Sequence, residues 1–239
     1  MKNQRNELYI FANADNDEFI ISGLQFSEFT QWIKPPIENI MLLSGECFES
    51  GINKHYFEII EGRDNILSFS NRDIYDLGDF CFVDYERSGA TDLLLPQDVA
   101  ELLYLGHMFK PLTSPFISCI GNRFAYLVHD DGWFCRLFSK ERRAVIDVIV
   151  EKLVSEVKRR TKQAEVSARN LYEELFPLAE KGLLIDFSGL SARSGVVEAA
   201  IYTVGLILNM DDITNGSAAE KYGGCFYGML KYENGSWVI

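Results

Sequence analysis

The sequence predicts an α+β protein in which a mainly antiparallel β region is followed by a mainly helical region with a terminal β-hairpin. Short segments rich in Ile, Phe, Tyr and Val recur every ten to fifteen residues through the first 90 positions, which is typical of antiparallel strands. Apolar residues take up helical spacing after Ser139. Asn234-Gly235 between two apolar segments indicates a two-residue hairpin turn. We therefore predict an acidic, β-rich α+β domain at 1–138 and a helical region with the hairpin at 139–239, and leave open whether the two pack as one unit.

The composition is that of a folded protein and contains no membrane span. Hydrophobic residues make up 47% and charged residues 24% of the 239 positions, which excludes wholesale disorder. No run of 18 apolar residues occurs, so we expect a soluble chain. The five cysteines form no CxxC pair, and the polar start carries no signal peptide, which predicts a cytoplasmic protein.

The negative charge is concentrated in the first region. Residues 1–138 contain 21 Asp and Glu against 10 Lys and Arg, whereas 139–239 contain 14 against 13. A surface this acidic repels phosphate groups. We therefore expect no nucleic-acid partner and no docking on anionic membranes.

Hydrophobic patterns and turn residues assign the elements of the first 90 positions. The predicted elements are strands at 7–12, 19–23, 56–60, 66–69 and 80–85, a strand or short helix at 40–43, and a short helix at 27–33. The strands at 7–12 and 19–23 form a candidate hairpin. Gly62-Arg63-Asp64-Asn65 is assigned as the loop of a second hairpin.

The segment from Leu95 to Phe138 carries the clearest local signals. Pro96 suits the first turn of a helix, where Asp98 and Glu101 face the positive end of the helix dipole. Prolines at 111 and 115 end this helix. Strands at 123–128 and 133–138 then pair across Asp130-Asp131-Gly132, because Asp-Gly supplies the positive φ angles of a tight turn.

The second region is predicted to be helical up to its last strands. Apolar residues keep one helical face from Val145 to Val157 and again from Val166 to Ala179, as two helices or as one long helix. A short strand is assigned to 183–187. Residues 196–208 are apolar nearly all round, which predicts a buried or interface helix. We expect the apolar faces of helices 141–180 and 196–209 to mediate self-association, most simply as a homodimer.

The candidate chemical site joins the two histidines of the Leu95–Phe138 segment to the hairpin turn. His107, His129, Asp130 and Asp131 are residue types that serve in metal binding and acid–base catalysis. The alternative is structural, because Asp-Asp-Gly is explained as a turn and a histidine is favoured at a helix C-terminus. The sequence contains no nucleophile elbow, dinucleotide fingerprint or P-loop, so no cofactor is predicted.

Two groups of residues are candidates for an interaction surface. Trp133 and Phe134 belong to a hairpin whose aromatic side chains alternate between its faces, so they are either core or an exposed partner surface. Lys158, Arg159 and Arg160 form a basic cluster on the predicted helix. Such a cluster is either a solvated face or a contact for the acidic part of the protein.

Motifs in the first region resemble a group of uncharacterised bacterial proteins, some of which carry an oxalate/formate antiporter label. The motifs that carry the resemblance are Tyr104-Leu105-Gly106-His107-Met108, Pro111-Leu112, Pro115-Phe116, Asn122-Arg123-Phe124, Tyr126-Leu127 and His129-Asp130-Asp131-Gly132-Trp133-Phe134. The resemblance covers about the first 150 residues and implies a bacterial origin without an activity. A transporter label is inconsistent with a chain that has no membrane-spanning segment.

These observations favour a non-catalytic protein over an enzyme. We expect a soluble bacterial accessory, regulatory or immunity-type protein that binds a protein partner or itself. The alternative is a small-ligand or metal-dependent enzyme with its site near His107, His129, Asp130 and Asp131.

Overall fold

The structure is a computed structural model and describes residues 6–44, 55, 57–72, 80–129, 134–161, 166, 171–193, 196–208, 213, 218–233 and 236–239. Two compact units divide the chain. Unit 1 comprises Met1–Leu24 and Arg143–Ile239, and unit 2 comprises Gln25–Arg142. The first 24 residues therefore group with the C-terminal part of the chain. The division into domains at residue 138 stays a prediction.

Strands are spread along the whole chain. In chain order the described elements are β1 (Glu7–Asn13), β2 (Glu18–Ser22), α1 (Phe26–Trp32), β3 (Asn39–Ser44), β4 (Glu58–Glu61), α2 (Arg63–Ser70), β5 (Cys81–Asp84), α3 (Pro96–Met108), β6 (Phe124–His129), β7 (Phe134–Ser139), α4 (Arg142–Thr161), α5 (Tyr172–Ala179), β8 (Leu183–Arg193), β9 (Val196–Thr203), α6 (Ala218–Tyr222), β10 (Phe226–Glu233) and β11 (Ser236–Val238). Four of these strands lie after residue 139, so the predicted fold class, with a mainly helical C-terminal region, is wrong. All strand pairs within each unit are antiparallel.

The largest error concerns 196–208, which was predicted to be a helix. In β9, Val197, Ala199 and Ile201 are buried, while the residues between them are partly exposed. This is the period of a strand with one buried face. Ala200 hides that period in the sequence, because a small apolar residue on the exposed face makes the segment look apolar all round.

The predicted hairpin at 56–69 is also wrong in its second half. Residues 63–70 form α2, and Gly62 takes a φ of +85° immediately before it. Ile66, Phe69 and Ser70 are buried at helical spacing. Only two turns are present, so the helical period was too short to distinguish from a strand.

Several local predictions are confirmed. The helix begins at Pro96, and β1 pairs with β2, β6 with β7, and β10 with β11. The turns at Asp130-Asp131-Gly132 and Asn234-Gly235 lie outside the described residues. The choice between one and two helices over 141–180 depends on 162–170, most of which is also outside them.

Unit 2 has a five-stranded sheet, in the order β7-β6-β5-β3-β4, with helices on both faces. On one face α3 covers a core that includes Met41, Val83, Leu102, Leu105 and Leu127. The opposite face carries an aromatic cluster against α1 and α2. Its members are Phe26, Phe29, Phe69, Phe80, Phe82, Phe124 and Tyr126. Because successive residues of β5 and β6 point to opposite faces, each strand serves both cores.

Unit 1 has strands in the order β11-β10-β9-β8-β1-β2, with α5 packed against β1 and β8. The Tyr9 hydroxyl donates to Gly205 O at 2.8 Å and accepts from Ile207 N at 2.8 Å, which holds the segment after β9. The apolar face of α4, from Val145 to Val157, is already buried. The apolar face of α4 is therefore not available for the predicted self-association. Residues 196–203, predicted as the second helix of that interface, form a strand.

Candidate functional site

The structure describes only part of the predicted His and Asp cluster. His107 is exposed in the last turn of α3, and His129 is the last residue of β6. Asp130 and Asp131 lie outside the described residues. Within the described part of the chain no group of three or more His, Cys, Asp and Glu side chains is arranged to hold a metal ion. Convergence of these four residues remains a prediction.

The predicted interaction residues separate into exposed and engaged ones. Phe134 is buried in β7, and Trp133 is outside the described residues. Lys158 and Arg159 are exposed at the end of α4, where Arg159 also contacts the Glu156 carboxylate. Among the described members of this group, Lys158 and Arg159 are therefore the ones whose side chains are largely accessible.

Arg160 ties α4 to its own unit. Its guanidinium donates to Glu156 Oε2 at 3.1 Å, to Phe187 O at 3.0 Å and to Asn6 Oδ1 at 3.0 Å. Lys152 Nζ lies 3.3 Å from Glu156 Oε1. Burial acts to raise the pKa of the Glu156 carboxyl, but the hydrogen bonds from Arg159 and Arg160 and the charges of Lys152 and Arg159 outweigh it and lower that pKa. The basic cluster thus contributes to internal packing as well as to surface charge.

A cleft of about 480 Å³ lies between the first half of α3 and the segment 112–119 of unit 2, and we call it the α3 groove. Its lining residues are Leu95, Gln97, Asp98, Ala100, Glu101, Leu112, Thr113, Ser114, Phe116, Ile117, Ser118 and Cys119. The side chains of Leu95 and Leu112 are exposed at the groove, one on each wall. The groove is therefore mainly apolar, with two carboxylates on its helical wall.

Hydrogen bonds hold the two walls together. Thr113 donates its backbone N–H to Glu101 Oε2 at 3.1 Å and its hydroxyl to Glu101 Oε1. Asp98, on α3, accepts two hydrogen bonds through Oδ2. One is from the Leu95 N–H at 2.9 Å and caps α3, and the other is from the Cys119 thiol of the opposite wall at 3.5 Å. Both carboxylates are thus oriented by donors that carry no charge.

Asn122 holds the segment 112–119, the wall of the groove opposite α3, in place. Its side chain is fully buried, accepts the Ile117 N–H at 2.6 Å, and donates to Pro115 O at 2.9 Å and to Phe124 O at 3.2 Å. One amide thus satisfies two main-chain groups of the loop, Pro115 O and Ile117 N, and joins them to Phe124 O of β6, which holds the loop against that strand. The groove is consequently pre-formed.

The neighbouring residue, Arg123, forms a second polar cluster. Asp84 Oδ1 accepts the backbone N–H groups of Arg123 at 2.8 Å and Phe124 at 2.6 Å, and the Arg123 Nε lies 3.1 Å from Asp84 Oδ2. Burial raises the pKa of Asp84 to about 6, although these donors and the Arg123 charge act to lower it. The Asn122-Arg123-Phe124 motif therefore has a structural explanation.

Cys119 is the nucleophilic side chain of the groove. Burial, and next the hydrogen bond and charge of Asp98, raise the pKa of its thiol. A nucleophilic cysteine needs the opposite environment, in which a cation stabilises the thiolate. The position of Asp98 therefore makes Cys119 a donor to the carboxylate and a poor nucleophile.

Exposed large hydrophobic side chains are concentrated in two segments of the described chain. In unit 2 they are Leu93, Leu95, Leu103, Met108 and Leu112, and in unit 1 they are Leu206, Leu208, Phe226, Tyr227, Val238 and Ile239. Monomeric proteins normally expose such residues singly. Unit 2 therefore presents its apolar surface on α3 and beside it, where the groove lies.

Sequence reasoning missed the groove because its parts become neighbours only through the fold. Asp98 and Glu101 were recognised as helix-dipole partners, but their contacts with Cys119 and Thr113 cross between separate segments. The available signal was the Thr113-Ser114-Pro115 turn chemistry beside an amphipathic helix.

Comparison of the chain with protein-family models, with curated proteins and with solved structures gave no match. Within the described residues no helix combines the length and apolar character needed to cross a membrane. The site itself therefore supplies the argument for function.

Proposed function

We propose that this chain is a soluble, cytoplasmic, non-catalytic binding protein that takes a segment of a partner protein into the α3 groove. Its role would be that of a bacterial accessory, regulatory or immunity-type protein. The observation that carries the proposal is the exposure of Leu95 and Leu112 on the two walls of a pre-formed, mainly apolar cleft.

Two further observations support this proposal. The raised pKa of the Cys119 thiol disfavours nucleophilic chemistry in the groove. The described cysteines, Cys81, Cys119, Cys135 and Cys225, are free thiols, as is usual in a reducing compartment.

A peptide library displayed on phage and selected on the full chain tests the proposal. A double variant, Leu95→Ser and Leu112→Ser, removes the apolar anchors, whose wild-type side chains are 54% and 57% exposed, so folding is little affected. Since burying a leucine stabilises a complex by about 1.5–3 kcal/mol, we expect selected peptides to bind this variant at least tenfold more weakly.

The matched control changes the same residue type in unit 1. Leu206→Ser with Leu208→Ser replaces two leucines that are 51% and 60% exposed, and we expect peptide affinity to stay at the wild-type level. If no peptide is enriched, or both double variants lose affinity equally, the groove is not a binding site and the proposal fails.

Self-association is a second candidate, and the apolar segment of unit 1 favours it. β11 lies at the edge of the strand order, and the exposed Phe226, Tyr227, Val238 and Ile239 lie on or beside β10 and β11. An edge strand can pair with its copy across a two-fold axis to give a homodimer. Light scattering at micromolar concentration would show a dimer that Val238→Lys dissociates, whereas a monomeric wild-type protein would refute this candidate.

A further inference from the structure

Among the described residues, the carboxylates of the α3 groove have no cation within ion-pair distance. Asp98 and Glu101 are three residues apart on α3 and therefore neighbours on one helical face, where like charges destabilise the helix. Lys140 is held by other groups, because its Nζ lies 4.7 Å from the centroid of the Phe116 ring, which lines the groove, and donates to Asn122 O at 3.0 Å.

Both carboxylates can accept further hydrogen bonds in addition to those they make within the protein. Asp98 uses only Oδ2, so its Oδ1 has no partner within the described chain. Each Glu101 oxygen accepts one hydrogen bond, from Thr113, although a carboxylate oxygen can accept two. The two anions are thus fixed in direction and open to a further donor.

The wider charge of unit 2 has the same sign. Gln25–Arg142 contains 18 Asp and Glu against 10 Lys and Arg, a net formal charge of −8. Such a field accelerates the approach of cationic partners and repels anionic ones. Local geometry and long-range charge therefore favour the same class of ligand.

We infer that the α3 groove recognises a partner segment in which an apolar side chain is flanked by arginine. The apolar side chain lies between Leu95 and Leu112, and the guanidinium donates to Asp98 and Glu101. Arginine fits better than lysine because its planar fork can donate to two carboxylates at once. The inference rests on the proposed function and adds the chemistry of its ligand.

The experiment compares three synthetic twelve-residue peptides by titration calorimetry with the full chain. Each contains two leucines, flanked in the first by arginines, in the second by citrullines and in the third by glutamates. Citrulline has nearly the shape of arginine but no charge. We expect the arginine peptide to bind at least tenfold more tightly than the citrulline peptide, and the glutamate peptide to bind most weakly.

The protein variants remove charge and keep the internal hydrogen bonds. In Asp98→Asn the amide oxygen still accepts the Leu95 N–H, and in Glu101→Gln the amide oxygen accepts the Thr113 N–H while its NH2 group donates to the Thr113 hydroxyl. The double variant should abolish the preference for arginine over citrulline. Asp64→Asn with Glu38→Gln removes the same charge from exposed positions outside the groove and should leave that preference intact.

The outcomes separate this inference from the proposed function. Equal binding of the arginine and citrulline peptides, both lost in the Leu95→Ser, Leu112→Ser variant, overturns the arginine requirement and leaves a neutral binding groove. If none of the three peptides binds, both the arginine inference and the proposed peptide-binding function are overturned. A change of oligomeric state in the Asp98→Asn, Glu101→Gln variant, seen by sedimentation, would make the occupant a second copy of the chain and also overturns the inference.

Discussion

Replacing Asn122 by alanine tests whether one buried amide holds the second wall of the α3 groove. The change removes the hydrogen bonds to Ile117 N, Pro115 O and Phe124 O from a site with no exposure to water. Three bonds at about 1 kcal/mol each, together with the desolvated N–H that remains, give an expected loss of about 3–5 kcal/mol in the free energy of unfolding. That is a large share of the ~5–15 kcal/mol typical of a folded domain.

Urea unfolding at 25 °C, followed by fluorescence, measures this loss, and hydrogen exchange locates it. The amide of Ile117 should exchange much faster in Asn122→Ala, because its acceptor is gone. Asn65→Ala is the control, since that exposed side-chain amide donates one hydrogen bond, to Glu61 O at 2.7 Å, and its loss should cost less than about 1 kcal/mol. A loss below about 1 kcal/mol for Asn122→Ala, or unchanged exchange at Ile117, would refute the reasoning.

Two further changes test the packing of α3 and the buried carboxyl. Gly106→Ala would place a Cβ 3.0 Å from Leu43 Cβ and 3.1 Å from Leu43 O. We expect this crowding to outweigh the gain of about 1 kcal/mol in helix propensity and to lower the stability measured in a urea titration. A stabilised variant would show that the contact between α3 and β3 can relax. The pKa of Asp84 is raised from its ordinary 3.8 to about 6, so its protonation adds stability fully below pH 3.8 and this contribution is lost as the pH rises through 6. Because Asp84→Asn is neutral at all pH values, the stability of the wild type relative to this variant should fall by up to about 3 kcal/mol between pH 4 and pH 7 in matched urea titrations, and a difference independent of pH would contradict it.

Local chemistry explains where sequence-based prediction succeeds. Pro96 starts α3, and the strands on either side of Asp130-Asp131-Gly132 and Asn234-Gly235 pair as expected. These signals act within a few residues, through a fixed φ angle or a preference for positive φ, and do not depend on distant parts of the chain.

The failures occur where burial decides the structure. Residues 196–203 carry apolar side chains on both faces of β9, with Glu198 the one charged residue among them, and 63–70 are too few to show a helical period. The state of both segments therefore depends on the elements against which they pack. The grouping of residues 1–24 with the C-terminal part is likewise a matter of strand pairing, since β1 pairs with β8. Strands so far apart in sequence carry no local pattern that identifies them as partners.

The sequence alone specifies the residue types of the candidate site and the local structure on which they lie. It placed Asp98 and Glu101 in the first turns of a helix, ended that helix with prolines, and concentrated acidic residues in the first 138 positions. It also drew attention to His107 and His129, which are far apart in sequence and whose convergence it does not determine.

The groove itself is formed by tertiary contacts between α3 and the segment that follows it. Thr113, Cys119 and Asn122 fold the segment after α3 back against the helix, so that two carboxylates and two exposed leucines share one cleft. The reason is physical, because a helix specifies its own face by periodicity, whereas its partner across a groove is selected by hydrogen bonds and burial that form only when the chain is folded.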